Sequence, residues 1–342
     1  MEFTAGGRLE VRVTPADVGK RVSVRQLTGG GPGAEKFTDT VGVLTSWDNG
    51  VLLITRRTGE SVRVPAAALV AGKVVPAAPA RRRGPAATFE ELARAGARAW
   101  QPVESERLGG WTLRAAAGPA PGGGPGRVGF TRRANSALPL GDPGMELDAA
   151  LTRTRRWYGE RGLPAYAQIA TGAADTQELL GAELERRGWR SEVTAEVRIG
   201  ALAPLGDRDA DVARVRLDRA VDESWLRRYQ RTGAPGPHVR QVLGAGPSVW
   251  FATVPGAGDV PAAIGRCVTD GRWAGFMAVE VGPEYRRQGL ATAVMTALAR
   301  RALEEGASAA WLQVETDNDA ARALYEGMGF TVHHHYHHFR SP

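Results

Sequence analysis

Strands and helices alternate along most of this 342-residue chain, and that alternation restricts the fold more than any other feature. Between residues 88 and 200, β-type runs are separated by helical patterns with helix-period apolar spacing. From 213 to 339, four strands lead into a long helix, which is followed by a strand, a helix and a final strand. Elements in this order pack as an α/β layer. The sequence therefore predicts an α/β fold, in the α+β form of a mixed sheet flanked by helices.

The two halves of this region end alike. A helical pattern is followed by Gly188-Trp189 in the first half and by Gly329-Phe330 in the second. We interpret the region as a degenerate internal duplication, with one domain at 88–200 and a second at 206–342.

Residues 1–75 have a different pattern, in which five short β-type runs are separated by turns. Asn49-Gly50 between two apolar runs is a strong hairpin signal. We expect a small all-β barrel, closed so that little strand edge is exposed, and its strand spacing is similar to that of SH3-like folds. A linker rich in proline and arginine follows at 76–87.

Positive charge is concentrated at this N-terminal end. Residues 1–84 carry 13 Lys and Arg against 7 Asp and Glu, which is +6 of the total net charge of +7. Such a segment could bind nucleic acid. Phe37 and Trp47 are too few for a stacking platform, however, so packing or docking to a partner is favoured.

The cysteine count and the longest apolar segment indicate where the protein resides and whether it crosses a membrane. The single cysteine, Cys267, excludes an internal disulfide and a thiolate zinc cluster, and a chain without disulfides is compatible with a reducing cytoplasm. We interpret Cys267 as a buried small residue. The most apolar long segment, at 66–80, is interrupted by Lys73, Pro76 and Pro79, so no membrane span is expected. We expect a cytoplasmic protein without a secretion signal.

The junction at 277–291 is the segment whose residues indicate a binding site. An apolar strand runs into a loop that contains Arg286 and Arg287, and Gly289 then opens a long helix. The first turn of a helix presents amide groups without intrahelical partners and the positive end of the helix dipole, so this junction predicts an anion site. It matches neither the Gly-Lys-Ser/Thr ending of a phosphate loop nor the G-x-G-x-x-G dinucleotide motif.

These residues resemble the GNAT superfamily of acyl-CoA-dependent N-acetyltransferases. Arg286-x-x-Gly289-x-Ala291 is similar to the family signature [Gln/Arg]-x-x-Gly-x-[Gly/Ala], and residues 312–330 are similar to its second block, in which Asn318 opens a helix and Tyr325 lies seven residues later. The resemblance implies a tandem GNAT-like chain whose domain at 206–342 transfers the acetyl group of acetyl-CoA directly to an amine of a small molecule, peptide or protein.

The resemblance also implies the site residues. The strand backbone would pair with the pantetheine arm, and the loop and first helical turn would hold the pyrophosphate. Asn318 would contact the cofactor or an ordered water, and Tyr325 would protonate the departing thiolate as general acid. The cofactor-binding residues are then Val279, Glu280, Val281, Arg286, Arg287, Gln288, Gly289, Leu290, Ala291, Thr292, Asn318 and Tyr325.

The general base is left open by the sequence. Related enzymes that act on protein N-termini often have Glu at the position of Gln313, and Gln cannot accept a proton. Glu280 and Glu315 are the carboxylate candidates, and they join Tyr325 as the predicted catalytic residues. The missing Glu favours an amine of lowered pKa, and it keeps a second hypothesis open, a non-catalytic CoA sensor or scaffold whose basic barrel binds nucleic acid or a protein partner.

Two other segments carry polar side chains. The middle region lacks the glycine signature, so we expect a non-catalytic half that shapes the acceptor pocket, with Arg132, Arg133, Asn135 and Ser136 as candidate substrate contacts. The histidine-rich run at 333–338 is expected to form a solvated or substrate-facing strand, and no metal site is predicted.

Overall fold

The computed structural model describes residues 10–28, 37–76, 84–120, 126–229 and 235–342. Its contacts divide the chain into two compact units. One comprises Met1–Ala80, Ile169–Gly188 and His334–Tyr336, and the other comprises Arg81–Gln168, Trp189–His333 and His337–Pro342.

The first unit contains a five-stranded antiparallel sheet in the order β4-β3-β2-β1-β5. Valine, leucine and isoleucine side chains form its core. The closed barrel expected from the sequence is not found: β4 and β5 are the two ends of the sheet, and no ladder joins them among the described residues. The strands are β1 (Arg21–Leu27), β2 (Phe37–Asp48), β3 (Val51–Thr55), β4 (Ser61–Pro65) and β5 (Leu69–Val74).

The hairpin predicted at Asn49-Gly50 is confirmed. Asp48 pairs with Val51 across a two-residue loop, and both loop residues have positive φ, 51° at Asn49 and 74° at Gly50. Two consecutive positive φ angles make a type I′ turn, whose twist matches that of the flanking strands.

The rest of the chain combines strands and helices, as the sequence predicts, although five short strands, all within the described ranges, lie between the first two α-helices, where the sequence predicts one strand at 128–137. Its helices are α1 (Phe89–Ala99), α2 (Leu147–Gly159), α3 (Glu178–Arg186), α4 (Ala203–Gly206), α5 (Glu223–Arg228), α6 (Pro237–Gly244), α7 (Leu290–Glu304) and α8 (Asp319–Gly327). Its strands are β6 (Glu104–Leu108), β7 (Trp111–Ala115), β8 (Ala117–Pro119), β9 (Arg127–Gly129), β10 (Leu138–Pro139), β11 (Tyr166–Thr171), β12 (Arg190–Ala201), β13 (Arg216–Asp218), β14 (Ser248–Val254), β15 (Ala263–Asp270), β16 (Trp273–Val281), β17 (Ala309–Glu315) and β18 (Thr331–Arg340).

Eight of these strands form one mixed sheet in the order β11-β18-β12-β17-β16-β15-β14-β13. β12, the last strand before residue 202, lies beside β17 and pairs with it antiparallel, from Ala195 opposite Glu315 to Ala201 opposite Ala309. β18 follows β17 in sequence but lies on the far side of β12, next to β11. The two halves of the chain therefore exchange their last strands and share one sheet.

Helices cover both faces of this sheet. On one face, α7 packs against the core, and a Cβ added to Gly265 of β15 would lie 2.5 Å from Val294 Cγ1. On the other face lies α1, whose Glu91 carboxylate accepts a hydrogen bond from Trp273 Nε1 at 2.7 Å. Thr88 caps α1, since its Oγ1 accepts from the amide of Glu91 at 3.1 Å.

The histidine strand is buried, which corrects the expectation of a solvated strand. His334, His335, His337 and His338 are each at most 7% exposed. The reason is the position of β18 inside the sheet, between β11 and β12. In the described part of the chain, no helix is both long enough and apolar enough to cross a membrane.

Candidate functional site

A β-bulge in β16 sets up the site. Met277 lies opposite Arg266 and Glu280 lies opposite Ile264, so Ala278 and Val279 together face the single residue Gly265. Ala278 has φ 52°, a left-handed conformation that is uncommon for a residue with a side chain. The bulge bends the strand at this point.

β16 and β17 separate beside the bulge. Their parallel ladder runs from Trp273–Ala309 to Phe276–Leu312, yet both strands continue beyond it, β16 to Val281 and β17 to Glu315. Residues 278–281 are only partly buried. The two strand ends thus form an opening with a strand edge along one wall.

The N-terminus of α7 follows directly. Gly289 has φ 77°, and a Cβ placed on it would have no atom within 4 Å. The first intrahelical bond is from the Ala293 amide to Gly289 O at 3.0 Å, so the amides of Leu290, Ala291 and Thr292 precede the helical ladder. The first turn has no acidic side chain, and Arg286, Arg287 and Gln288 are exposed beside it. This is an open, positively polarised helix end.

Aromatic contacts hold Tyr325 close to the opening. Its ring lies 6.1 Å from that of Phe330, and Phe330 lies 6.4 Å from Phe276, the last residue of β16 that pairs with β17. Tyr325 is half-buried. Asn318 is exposed and caps α8, because its Oδ1 accepts from the Ala321 amide at 3.1 Å.

The candidate carboxylates lie on the face away from α7. Val279 and Val281 pack against the α7 core, so alternation turns Glu280 to the opposite face. Gln313 is on that face too, since a Cβ on Gly96 of α1 would lie 3.6 Å from its Nε2, and Glu315 follows two residues later. Glu280, Gln313 and Glu315 thus share one face, beside the opening.

Arg266 is a buried residue on this face that the sequence did not single out. Its guanidinium donates to Leu243 O at 2.6 Å, Ala245 O at 2.7 Å and Ala99 O at 3.0 Å. These carbonyls end α6 and α1, where the helix dipoles are negative. Burial lowers the pKa of Arg266 to about 10. No local sequence signal distinguishes such an arginine from an exposed one.

Four polar residues of the middle region were predicted to contact substrate, and two of them have structural roles. Asn135 is buried and bonds both the amide and the carbonyl of Ala116, and Ser136 Oγ accepts from Arg114 at 2.8 Å. Arg132 and Arg133 are partly exposed; Arg132 pairs with Glu192, and Arg133 lies over the Trp100 ring.

Cys267 is buried, as expected, and burial raises its thiol pKa to about 12, which makes it a poor nucleophile. Within the described ranges, no group of three His, Cys, Asp or Glu residues is arranged to hold a metal ion.

A known protein family matches most of the chain. The family model described as "Probable histone acetyltransferase Rv0428c C-terminal" matches residues 86–339. The chain belongs to this family. Its members have the GNAT fold, and the chain is an N-acetyltransferase of tandem GNAT-like architecture.

Individual relatives agree. "Probable histone acetyltransferase Rv0428c" of Mycobacterium tuberculosis is 29% identical over 319 residues, which cover 93% of each chain. "Mycothiol acetyltransferase" of Kocuria rhizophila is 38% identical over 85 residues, 25% of each chain.

Solved structures show the same fold at low sequence identity. A GCN5-related N-acetyltransferase from Kribbella flavida aligns with a TM-score of 0.51 at 16% identity, covering 73% of this chain and 94% of that one. A tandem GNAT protein from the clavulanic acid biosynthesis pathway also aligns with a TM-score of 0.51, at 15% identity, covering 76% of this chain and 90% of that one.

Proposed function

We propose that this N-acetyltransferase uses acetyl-CoA as donor and transfers the acetyl group directly to an amine at the opening between β16 and β17. One observation carries the proposal. The strands separate at the Ala278 bulge, immediately before an open helix N-terminus, so a strand edge and an anion site lie in succession along the chain. That succession suits a ligand with an amide-containing arm and a pyrophosphate.

The residues fit such a ligand. The strand edge at Val279, Glu280 and Val281, beyond the end of the ladder with β17, can pair with the amides of the pantetheine arm in the manner of an added strand. The amides from Arg287 to Thr292 can bind the pyrophosphate, with Arg286 and Arg287 adding positive charge. Gly289 leaves room for phosphate oxygens to approach the backbone.

The chemistry is then divided between the two faces of the opening. The amine enters from the α1 face, where Glu280 or Glu315 accepts its proton, directly or through water. Attack on the thioester carbonyl generates negative charge on its oxygen, which a backbone amide of β16 can stabilise. Tyr325 protonates the thiolate as it leaves, so no covalent acyl-enzyme is needed.

A pair of matched glycine variants tests the donor site. Gly289 and Gly306 lie at the two ends of α7, both have positive φ, and neither has an atom within 4 Å of an added Cβ. Gly289→Glu and Gly306→Glu therefore impose a similar backbone cost, of about 1–2 kcal/mol, but only Gly289→Glu places negative charge at the predicted pyrophosphate position.

We expect calorimetry to detect acetyl-CoA binding to the wild-type protein and to Gly306→Glu, and no binding to Gly289→Glu. Release of free CoA over a panel of amines should follow the same order. Equal affinity in the two variants would refute the site, and binding of acetyl-CoA without CoA release for any amine would favour a non-catalytic sensor.

A further inference from the structure

The strand edge proposed to pair with the pantetheine arm is backed by the start of β15. Ala263 lies opposite Val281 and Ile264 lies opposite Glu280, on the side of β16 away from β17. The position of this edge in the opening is therefore set by the segment 261–265, which runs into β15. Contacts that hold this segment in place also hold the strand edge.

Helix α5 provides two buried side chains that hold the segment at both of its ends. Trp225 is 1% exposed, and its Nε1 donates to Gly265 O at 3.4 Å. Arg228 is 7% exposed, and its Nε donates to Pro261 O at 2.6 Å. The two residues are three positions apart in the helix, so they lie on the same face. One face of α5 thus contacts both ends of the segment.

The hydrogen bond from Trp225 lies at the bulge. Gly265 is the residue of β15 that faces Ala278 and Val279 together. A bulge locally disrupts the ladder between two strands, so a donor from outside the pair adds a fixed point there. Trp225 therefore supports β15 at the position where the opening begins.

The guanidinium of Arg228 also reaches the turn that follows β16. Its Nη2 donates to Glu284 Oε1 at 3.2 Å, and the amide of Gly282 donates to Ala262 O at 2.9 Å. A Cβ on Gly282 would lie 2.7 Å from Arg228 Nη2, so the guanidinium lies against the backbone of this turn. Two residues after Glu284 comes Arg286, where the proposed pyrophosphate loop begins.

Packing alone does not require an arginine at position 228. A buried guanidinium loses its hydration, and an apolar side chain of similar size often gives equal or greater stability. The carboxylate partner is itself exposed, since 56% of the Glu284 side chain is accessible to water. What a guanidinium adds is a set of directed hydrogen bonds, here to one point before β15 and one point after β16.

We propose that Arg228, supported by Trp225, is a positioning residue of the donor site, which fixes the strand edge at 279–281 relative to the helix end at 289–292. The inference rests on the proposed function, in which one acetyl-CoA molecule occupies both places. A ligand that spans two places binds more tightly when their spacing is fixed beforehand, because less ordering is then required on binding.

Calorimetry of acetyl-CoA with Arg228→Met measures this role. The substitution leaves no unpaired buried charge, because Glu284 is exposed, so we expect the variant to fold. The dissociation constant should rise about tenfold, the lower value for hydrogen bonds to a charged group, and Arg228→Lys should restore part of the affinity. Arg227→Met is the matched control and should leave the affinity unchanged, since Arg227 is exposed on the same helix and donates to Asp259 O, outside the segment.

Glu284 provides a test by the sign of the effect. By charge alone, removal of a carboxylate beside an anion site strengthens anion binding. If Glu284 holds Arg228 against the turn, Glu284→Ala should instead weaken acetyl-CoA binding, by about two- to fivefold for a partly exposed pair. Glu284→Gln keeps an acceptor atom and should weaken binding less. A contribution to folding alone would lower the thermal midpoint without this loss of affinity.

The outcomes separate the two proposals. The positioning role is wrong, while the proposed function stands, if wild type binds acetyl-CoA and Arg228→Met binds it equally well, if Arg227→Met weakens binding as much, or if Glu284→Ala binds at least as tightly as wild type. If Arg228→Met does not fold, Gly282→Ala decides, because its Cβ displaces the guanidinium without removing it: weaker binding supports the inference and unchanged binding overturns it. Failure of wild type to bind acetyl-CoA would refute the proposed function and the inference with it.

Discussion

The exchanged strand β12 carries a buried ion pair, and Arg322 connects its carboxylate to helix α8, the helix that carries Tyr325. Glu196 and Arg198 are each under 5% exposed, with Arg198 Nε 2.6 Å from Glu196 Oε2. Arg322 of α8 donates to the other carboxylate oxygen at 3.0 Å. We predict that Glu196→Gln strongly destabilises the protein.

The size of the expected destabilisation follows from the burial of Glu196 and Arg198. Without the carboxylate, Arg198 retains its bond to Arg322 O at 3.3 Å, but its buried guanidinium loses its ion-pair partner. Removing one partner of a buried pair costs about 3–5 kcal/mol in the free energy of unfolding. Arg322 loses less, because its side chain is 34% exposed and also pairs with Asp319 at 2.9 Å.

Urea denaturation followed by tryptophan fluorescence measures this cost. Glu304→Gln is the control, since Glu304 pairs with Arg301 at a similar 2.7 Å but on the surface, where such a pair contributes about 0–1 kcal/mol. The double variant Glu196→Leu/Arg198→Met should recover most of the loss, because it leaves no buried charge on β12. A Glu196→Gln loss no larger than that of Glu304→Gln would refute the reasoning.

The same pair predicts a pH dependence. Burial alone would raise the pKa of Glu196, but hydrogen bonds from Arg198 and Arg322 outweigh it and lower the pKa below 4.5. A carboxylate with a lowered folded-state pKa contributes stability that is present above the unfolded value and is lost as the pH falls through the folded one. Glu196→Gln should therefore weaken the loss of stability below about pH 4.5, relative to wild type.

Three further predictions concern the site. Tyr325→Phe should lower kcat by about tenfold to a hundredfold with acetyl-CoA affinity retained in calorimetry, and an unchanged kcat would exclude its role as general acid. Glu280→Gln and Glu315→Gln, compared across a pH–rate profile, should show that one of them removes the fall in rate at low pH that protonation of the catalytic base causes; two unchanged profiles would exclude both as bases. Gly275→Ala would place a Cβ 2.4 Å from Trp311 Cζ2, so it should lower the thermal midpoint, and an unchanged midpoint would contradict the close packing of β16 on β17.

Much of the fold and part of the candidate site follow from local patterns. Asn49-Gly50 forms its type I′ turn, Asn318 caps α8, and Gly289 takes the left-handed conformation at the start of α7. Each depends on backbone preferences of a few consecutive residues, which act in the same way whatever the rest of the chain does.

The missed features depend on which strands become neighbours. The sequence predicts a solvated histidine strand because histidine is polar. In the fold, the strand is buried because it lies between β11 and β12. Asn135 and Ser136 were interpreted as substrate contacts, but their partners, Ala116 and Arg114, are about twenty residues away in sequence. Arg266 was overlooked for the same reason, since its partners end two distant helices.

The sequence by itself determined that this is an α/β chain with a strand, an arginine-containing loop and a helix in succession, because those signals lie in consecutive residues. Only the tertiary structure decided that the halves exchange β12 and β18, and that the candidate carboxylates lie on one face of the shared sheet. The physical reason is that a strand's alternation specifies which of its sides is buried but leaves its neighbour undetermined, and that choice is made by the packing of the whole sheet.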